Sequence, residues 1–350
     1  MSLFPPPLGA SGDLGPVTRI VAALTARERA LFLEAALPRH ASASRIRFAD
    51  DGDLRPEVWG ARCEEWRPEV LLTAWSTPPL PDAWVGRHDC PLRYLCHVTG
   101  SVRQIVPRSF LERGGCATNW GEEISGQVAE HGLLLALAAL RNLPAWPLFI
   151  ARPVPLRHIT DLNTRTLFGL RVGLHGFGSI ARALLPLLRP FGVSLAAYSA
   201  GVPLEYYTQH NVRPARSLKA LFADSDVLIE CESLTPATRG TVTGEILAAL
   251  PSGAVFVNIG RGAVVDEEAL LREAATGRLR VALDVSTAEP LTPDSPVVRN
   301  GRVILSPHIG GPTMDRYADC GARALDNLDR FLDGRPLDSV ISLAAYDRAT

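Results

Sequence analysis

One repeated pattern governs the second half of this chain. From residue 171 onward the short apolar runs RVGLH, VSLAAY, DVLIEC, AVFVNI, RVALDV and RVILS alternate with segments of helical spacing. The runs are apolar on both faces, as parallel strands are when helices cover the sheet on each side. The segments between them, among them SLKALFADS, TGEILAALP and DEEALLREAATG, keep a helical period, and several end at Gly or Pro. Strand and helix in this alternation predict an α/β fold with a Rossmann-type doubly wound parallel sheet.

The sheet begins with a corner that constrains function as well as fold. GFGSIA, residues 176–181, follows the run RVGLH directly and opens the helical segment SIARALLPLLRP. It fits G-x-G-x-x-G/A: Gly176 permits the tight turn, Gly178 the close approach of a pyrophosphate, and Ala181 close packing of helix on sheet. A diphosphate would rest on the N–H groups of Ser179 and Ile180 and on the positive end of the helix dipole. A dinucleotide is therefore the expected cofactor. Its ribose usually meets an acid at the end of the second strand, yet VSLAAY ends at Ser199, and the nearest downstream arginine is Arg213. The reading favours NAD and leaves NADP open.

Before about residue 120 the texture is mixed. ARERALFLEAALPRH (26–40) predicts an amphipathic helix, and VLLTAW (70–75) and LRYLCHV (92–98) predict strands that feed loops. Residues 122–143 predict one long helix, apolar over most of its circumference, buried between elements or against a second subunit. ARALDNLDRFLDG (322–334) is a further amphipathic helix that can pack back on the N-terminal part. A chain of 350 residues has room for two such domains.

Charge is balanced, with 36 Lys and Arg against 37 Asp and Glu, and Lys219 is the sole lysine. No basic block tracks a phosphate backbone, so nucleic acid is not an expected partner. The six cysteines show no paired spacing and no nearby histidine pairs, so no metal site is expected and reduced thiols are. The start, MSLFPPPLGASGDLGPVTR, reads as a Pro/Gly-rich lead-in rather than a signal peptide, and the apolar run GLLLALAAL falls short of a bilayer span. The expectation is a cytoplasmic protein without a membrane partner.

Ligands of an open α/β sheet bind beyond the carboxyl ends of its strands. Three runs deliver charged residues there: AVFVNI leads to Arg261, RVALDV ends in Asp284 and continues to Glu289, and RVILS leads to His308. Singly, Arg261 reads as a structural ion pair, Glu289 as a solvated turn carboxylate and His308 as a buried histidine. Together they are a cation for a carboxylate, a proton donor for a carbonyl oxygen and an acid to tune that donor.

GFGSIA, LTPATRGTV, VNIGRGAVVDEEAL, ALDVSTAEPL and SPHIGGPT, in this order, resemble the NAD-dependent D-isomer-specific 2-hydroxyacid dehydrogenases. The likeness runs from about residue 92 to 335. It implies hydride transfer between NAD(H) and a 2-oxo acid/D-2-hydroxy acid pair, with Arg261 on the substrate carboxylate, His308 as acid and base, and Glu289 hydrogen-bonded to His308. Thr235 and Ile259 would lie along the cofactor, and Asp284 would hold the nicotinamide carboxamide. Gly100, Ser101 and Val102 match the loop whose N–H groups cup the substrate carboxylate, and Trp75 would line the substrate pocket. The resemblance further implies a smaller, flavodoxin-like α/β substrate domain, 1–121 with 313–350, around a dinucleotide domain at 122–312. The active site would lie between the two, and a homodimer would form through the long helix. The family also contains transcriptional corepressors, so a dinucleotide-binding sensor is the alternative. Formate dehydrogenases share the fold but pair the histidine with glutamine, and Glu289 speaks against that branch.

Some positions depart from the family pattern. Ser199 stands where an acid is usual and Ser286 where an aromatic is usual. In ECESLTP, Glu230 and Glu232 replace residues that are mostly apolar, His or Pro; both read as solvated or arginine-paired carboxylates without a catalytic role.

Overall fold

The computed structural model describes residues 19–348; the lead-in at 1–18 lies outside them. Two compact units result, one formed by the described residues up to Ile124 together with those from Met314, the other by Ser125–Thr313.

The first unit is a parallel sheet of β1 (Ile20–Ala23), β2 (Ile46–Phe48), β3 (Val70–Thr73), β4 (Tyr94–His97) and β5 (Cys116–Thr118), in the order β2-β1-β3-β4-β5. This is the flavodoxin-like order. Alternate strand residues enter opposite cores. Val21, Leu71 and Leu95 join Trp59 and Trp66 of the helix Pro56–Trp66 on one face, and Ile20, Leu72 and Cys96 join Leu325 and Leu328 of the helix Tyr317–Leu332 on the other. The C-terminal helix thus closes a core that the N-terminal strands begin. It approaches so closely that a Cβ on Gly321 would lie 1.7 Å from the Phe32 carbonyl oxygen.

The second unit holds β6 (Arg171–His175), β7 (Ser194–Tyr198), β8 (Arg213–Pro214), β9 (Val227–Glu230), β10 (Val255–Asn258), β11 (Arg280–Leu283) and β12 (Ile304–Leu305). The order is β12-β11-β10-β9-β6-β7-β8 and each pairing is parallel. Strand order reverses between β6 and β9, which makes the crevice beyond their carboxyl ends the natural ligand site.

Several sequence expectations need correction. The helix expected over 26–40 is helical from Ala26 to Leu33, widening into a π turn at Arg29–Leu33, and Leu37–Arg39, with Pro38 inside it, forms a separate 3-10 turn. The long helix is Ser125–Leu140; Asn142, at φ 54°, and Pro144 then turn the chain into a short helix, Ala145–Ala151. Taken as a whole, Ser125–Ala151 is long and apolar enough to cross a membrane. Its first helix nonetheless packs on β10, β11 and the helix Ser179–Leu188, the place of a core helix in this architecture. β1, β2, β5 and β8 are additional strands that the sequence pattern does not announce.

The contact at Gly321 is backbone against backbone, so it cannot yield by a rotamer change. Gly321→Ala is expected to lower stability by about 2 kcal/mol or more, the cost of forced overpacking. Gly126→Ala, where a Cβ meets nothing within 4 Å, should leave stability unchanged or raise it by about 0.5–1 kcal/mol. Chemical denaturation of the two variants beside the parent protein checks the contrast.

Candidate active site

The site in the second unit begins at the glycine corner. Gly176 has φ +89°, and a Cβ on it would stand 2.6 Å from the backbone nitrogen of Glu232, so the turn packs directly on the loop after β9. Gly178 occupies the N-cap of Ser179–Leu188 and offers no side-chain cap, while a Cβ there would meet nothing within 4 Å. Ser179 and Ile180 follow as the first, half-buried helical residues, and Ala181 is buried against the sheet. An uncapped helix N-terminus under open space suits the diphosphate of a dinucleotide.

The charged groups emerge on three adjoining loops, after β10, β11 and β12. Asn258, 1% exposed, shapes the first: its amide nitrogen donates to the Arg261 carbonyl at 3.2 Å and its oxygen accepts from the Gly260 N–H at 3.0 Å. A Cβ on Gly262 would fall 2.0 Å from the carbonyl carbon of Ser286, so the first loop is pressed onto the second. Glu267 ties the same two loops, accepting from the Ser286 hydroxyl at 2.7 Å and the Thr287 N–H at 2.8 Å. The Arg261 side chain is exposed, and its Nη1 donates to the Gly260 carbonyl at 2.8 Å.

Glu289 divides its two oxygens. Oε1 accepts from the Ser286 N–H at 2.9 Å, and Oε2 lies 2.6 Å from Nδ1 of His308. With Nδ1–H directed at a carboxylate, Nε2 is left to exchange a proton, and the His308 side chain is 48% exposed. The backbone of His308 is left-handed, φ 54°, an unfavourable region for this residue that surrounding bonds must impose.

Asp284 supplies those bonds. Its carbonyl accepts from the His308 N–H at 2.9 Å. Its carboxylate, 3% exposed, accepts from the Ser306 hydroxyl at 2.6 Å, the Ile309 N–H at 2.9 Å and the Gly310 N–H at 2.8 Å, with His131 at 3.3 Å. The residues on both sides of His308 are therefore fastened to one buried side chain. Burial by itself would raise the Asp284 pKa; the bonds from His131, Ser306, Ile309 and Gly310 outweigh it and hold the carboxyl at about 2.

The remaining expected cofactor residues fall into place unevenly. Thr235 closes a local turn with Thr238, to whose hydroxyl its N–H donates at 2.7 Å. Ile259 is 4% exposed, and a Cβ on Gly132 would stand 2.7 Å from its tip, so its side chain packs in the core and only its backbone can take the expected role. Ser199 donates its hydroxyl to Oε2 of Glu232 at 2.6 Å. The reading of Glu230 and Glu232 as solvated or arginine-paired carboxylates is thereby corrected. Glu230 is fully buried, 2.5 Å from Nδ1 of His175; burial disfavours the imidazolium, and the charge and hydrogen bond of Glu230 outweigh it to raise the His175 pKa.

In the first unit the expected substrate residues follow β3 and β4. Trp75 is 53% exposed and stands edge-on to Phe32, Trp120 and Tyr317. A Cβ on Gly100 would lie 2.8 Å from the Trp120 ring, and Ser101 is half-buried beside it. Val102 is 1% exposed and its side chain belongs to the core, so only its backbone can take the expected role. His97, unsuspected from sequence, bonds Thr73 at 2.8 Å and Thr99 at 2.6 Å, and burial pushes its pKa down to about 3. It is a neutral clamp between these two strand ends.

Residues 133–310 match the sequence model of the D-isomer specific 2-hydroxyacid dehydrogenase NAD-binding domain. The chain belongs to the D-isomer-specific 2-hydroxyacid dehydrogenase family. A glyoxylate/hydroxypyruvate reductase of Arabidopsis thaliana is 31% identical over 237 residues, 66% of this chain and 70% of its own. The human glyoxylate reductase/hydroxypyruvate reductase is 34% identical over 173 residues, 49% of this chain and 53% of its own, so the chain spans about half the length of that relative. Among solved structures, a glyoxylate reductase from Paecilomyes thermophila superposes with TM-score 0.77 at 21% identity over 93% of this chain and 99% of its own, a likeness of fold. As a member of this dehydrogenase family the chain carries an NAD(H)-binding domain, NADP remaining compatible with it.

His131, Ser306, Asn258 and Glu267 brace the candidate site and carry no signal in the sequence that singles them out. His131 lies 175 residues from its partner Ser306, and only the fold brings them within 2.8 Å. The linkage at Asp284 has a definite sign. A carboxyl whose folded pKa is about 2, against an ordinary 3.8, adds stability that is fully present above pH 4 and is lost as pH falls through 2. The expected contribution is roughly 2 kcal/mol. Asp284→Asn should flatten the stability profile between about pH 5 and pH 2, measured by denaturant titration at each pH.

Proposed function

We propose that this protein catalyses reversible hydride transfer between NAD(H) and the 2-carbon of a 2-oxo acid/D-2-hydroxy acid pair. The observation that carries the reading is the His308–Glu289 contact of 2.6 Å, which leaves Nε2 of a half-exposed imidazole free of that bond on the strand edge that also carries Arg261. NAD(H), when bound, supplies or takes up the hydride.

In reduction the Arg261 guanidinium presents paired N–H donors to the substrate carboxylate, a fork that lysine cannot supply. Nε2–H of His308 gives its proton to the carbonyl oxygen as that oxygen gains charge, while Nδ1–H keeps its hydrogen bond to Glu289, which holds the ring in place. In oxidation Nε2 takes the hydroxyl proton. Small acids are the substrate class we favour, glyoxylate and hydroxypyruvate first, because those acids name the mouse, human and Arabidopsis relatives.

We also propose a homodimer, with its contact shifted from the position expected from sequence. Within Ser125–Leu140, Val128, Leu135, Ala136 and Leu140 are buried. Leu134 on that helix is 58% exposed, and a denser exposed apolar run follows just after it at Leu148, Ile150, Val154, Leu156 and Ile159, each 60% exposed or more. A run of this kind suits burial against a second copy of the chain.

With NADH and a panel of glyoxylate, hydroxypyruvate, pyruvate and phenylpyruvate, the parent protein should turn over at least one acid. His308→Ala and Arg261→Ala should each lose about 10²–10⁴-fold in kcat/KM; parent-like rates in both would refute the assignment. Light scattering after size exclusion should give twice the chain mass, and Leu148→Glu with Ile159→Glu should give a monomer.

A further inference from the structure

The expected ribose-binding acid is missing at the end of β7, where Ser199 stands. A carboxylate nevertheless occupies that place, delivered from a neighbouring strand. Glu232 follows β9, which pairs with β6 on the side opposite β7. The loop carrying it crosses the glycine corner so closely that Gly176 has no room for a Cβ against its backbone. Its side chain then reaches the end of β7, where Oε2 accepts from the Ser199 hydroxyl at 2.6 Å.

Glu232 is held there on several sides. Its Oε1 accepts from the Ser233 N–H at 3.0 Å, and its own N–H donates to Oε1 of Glu230 at 2.8 Å, whose Oε2 is fixed by His175. Ser199 is fixed in turn by the Tyr207 hydroxyl, which accepts from its N–H at 2.9 Å and donates to its carbonyl at 3.2 Å. The Glu232 side chain remains half-buried rather than sealed, so a ligand can reach it. Arg213, the nearest arginine downstream of Ser199, pairs with Asp224 at 3.3 Å.

We propose that Glu232, oriented by Ser199, is the specificity residue for the cofactor: its carboxylate accepts the 2′-hydroxyl of the adenosine ribose and repels a 2′-phosphate. The proposal rests on the reading of this unit as the dinucleotide site and decides between the two nucleotides that reading allows. A carboxylate next to a ribose hydroxyl gains a charge-assisted hydrogen bond. The same carboxylate next to a phosphate meets like charge in a partly desolvated crevice.

Fluorescence titration of NADH, NADPH and NADH carrying 2′-deoxyadenosine, without substrate, tests this in the parent protein and in Glu232→Gln. The parent should bind NADH at least about tenfold more tightly than either other nucleotide, the range expected for a hydrogen bond to a charged group. In Glu232→Gln that preference should shrink about tenfold or more, with NADPH binding more tightly than in the parent. An undiminished preference in Glu232→Gln, or a parent that binds the 2′-deoxy nucleotide as well as NADH, would remove Glu232 from the role while leaving the dinucleotide site standing. The second comparison needs no variant to fold. A parent that binds none of the three would overturn the dinucleotide reading and this proposal with it.

Discussion

The buried carboxylate of Asp284 is the constraint from which the reactive edge is built. A carboxylate with 3% exposure is costly unless its oxygens are satisfied. Here they are satisfied by a hydroxyl and two backbone N–H groups from the loop after β12. Hydrogen bonds to a charged group contribute about 1.5–3 kcal/mol each, enough to hold His308 in a left-handed backbone that costs of order 1–3 kcal/mol. The Coulombic pairs on the surface, such as Arg272 with Glu268, are worth far less and position nothing.

Charge at this edge is fixed in depth. His308 is aimed by Glu289, Glu289 by the Ser286 N–H, and Ser286 by Glu267. Gly262 and Gly310 matter because they have no side chain: one lets the Arg261 loop lie on Ser286, the other lets an N–H approach the Asp284 carboxylate. The same reasoning applies to Glu232, where a position in space is filled although the sequence position that usually fills it is empty.

Much of this is legible in the amino-acid sequence itself. Strands buried on both faces announce themselves as apolar runs, and the turn at Gly176 and Gly178 announces a helix that starts beneath a ligand. Arg261, Glu289 and His308 were readable because each follows a strand, and strand ends in a parallel sheet share an edge. What escaped was long-range or short-lived. His131 meets Ser306 only through the packing of a helix on a sheet, and Glu232 meets Ser199 only because β9 and β7 flank β6. β2 and β5 span three residues each and show no period, and the end of the long helix is hidden because Asn142 and Pro144 interrupt a run that stays apolar. Val102 and Ile259 show the opposite limit, where the side chain of a motif position packs in the core and leaves only its backbone to a ligand.

Isotope transfer tests the central claim most directly. NADH deuterated at the reactive carbon, incubated with the accepted 2-oxo acid, should give a D-2-hydroxy acid carrying deuterium at carbon 2 in the NMR spectrum, and His308→Ala should give almost none. A hydroxy acid without that deuterium, or equal labelling in His308→Ala, would contradict an edge built to pair hydride transfer with a proton from His308.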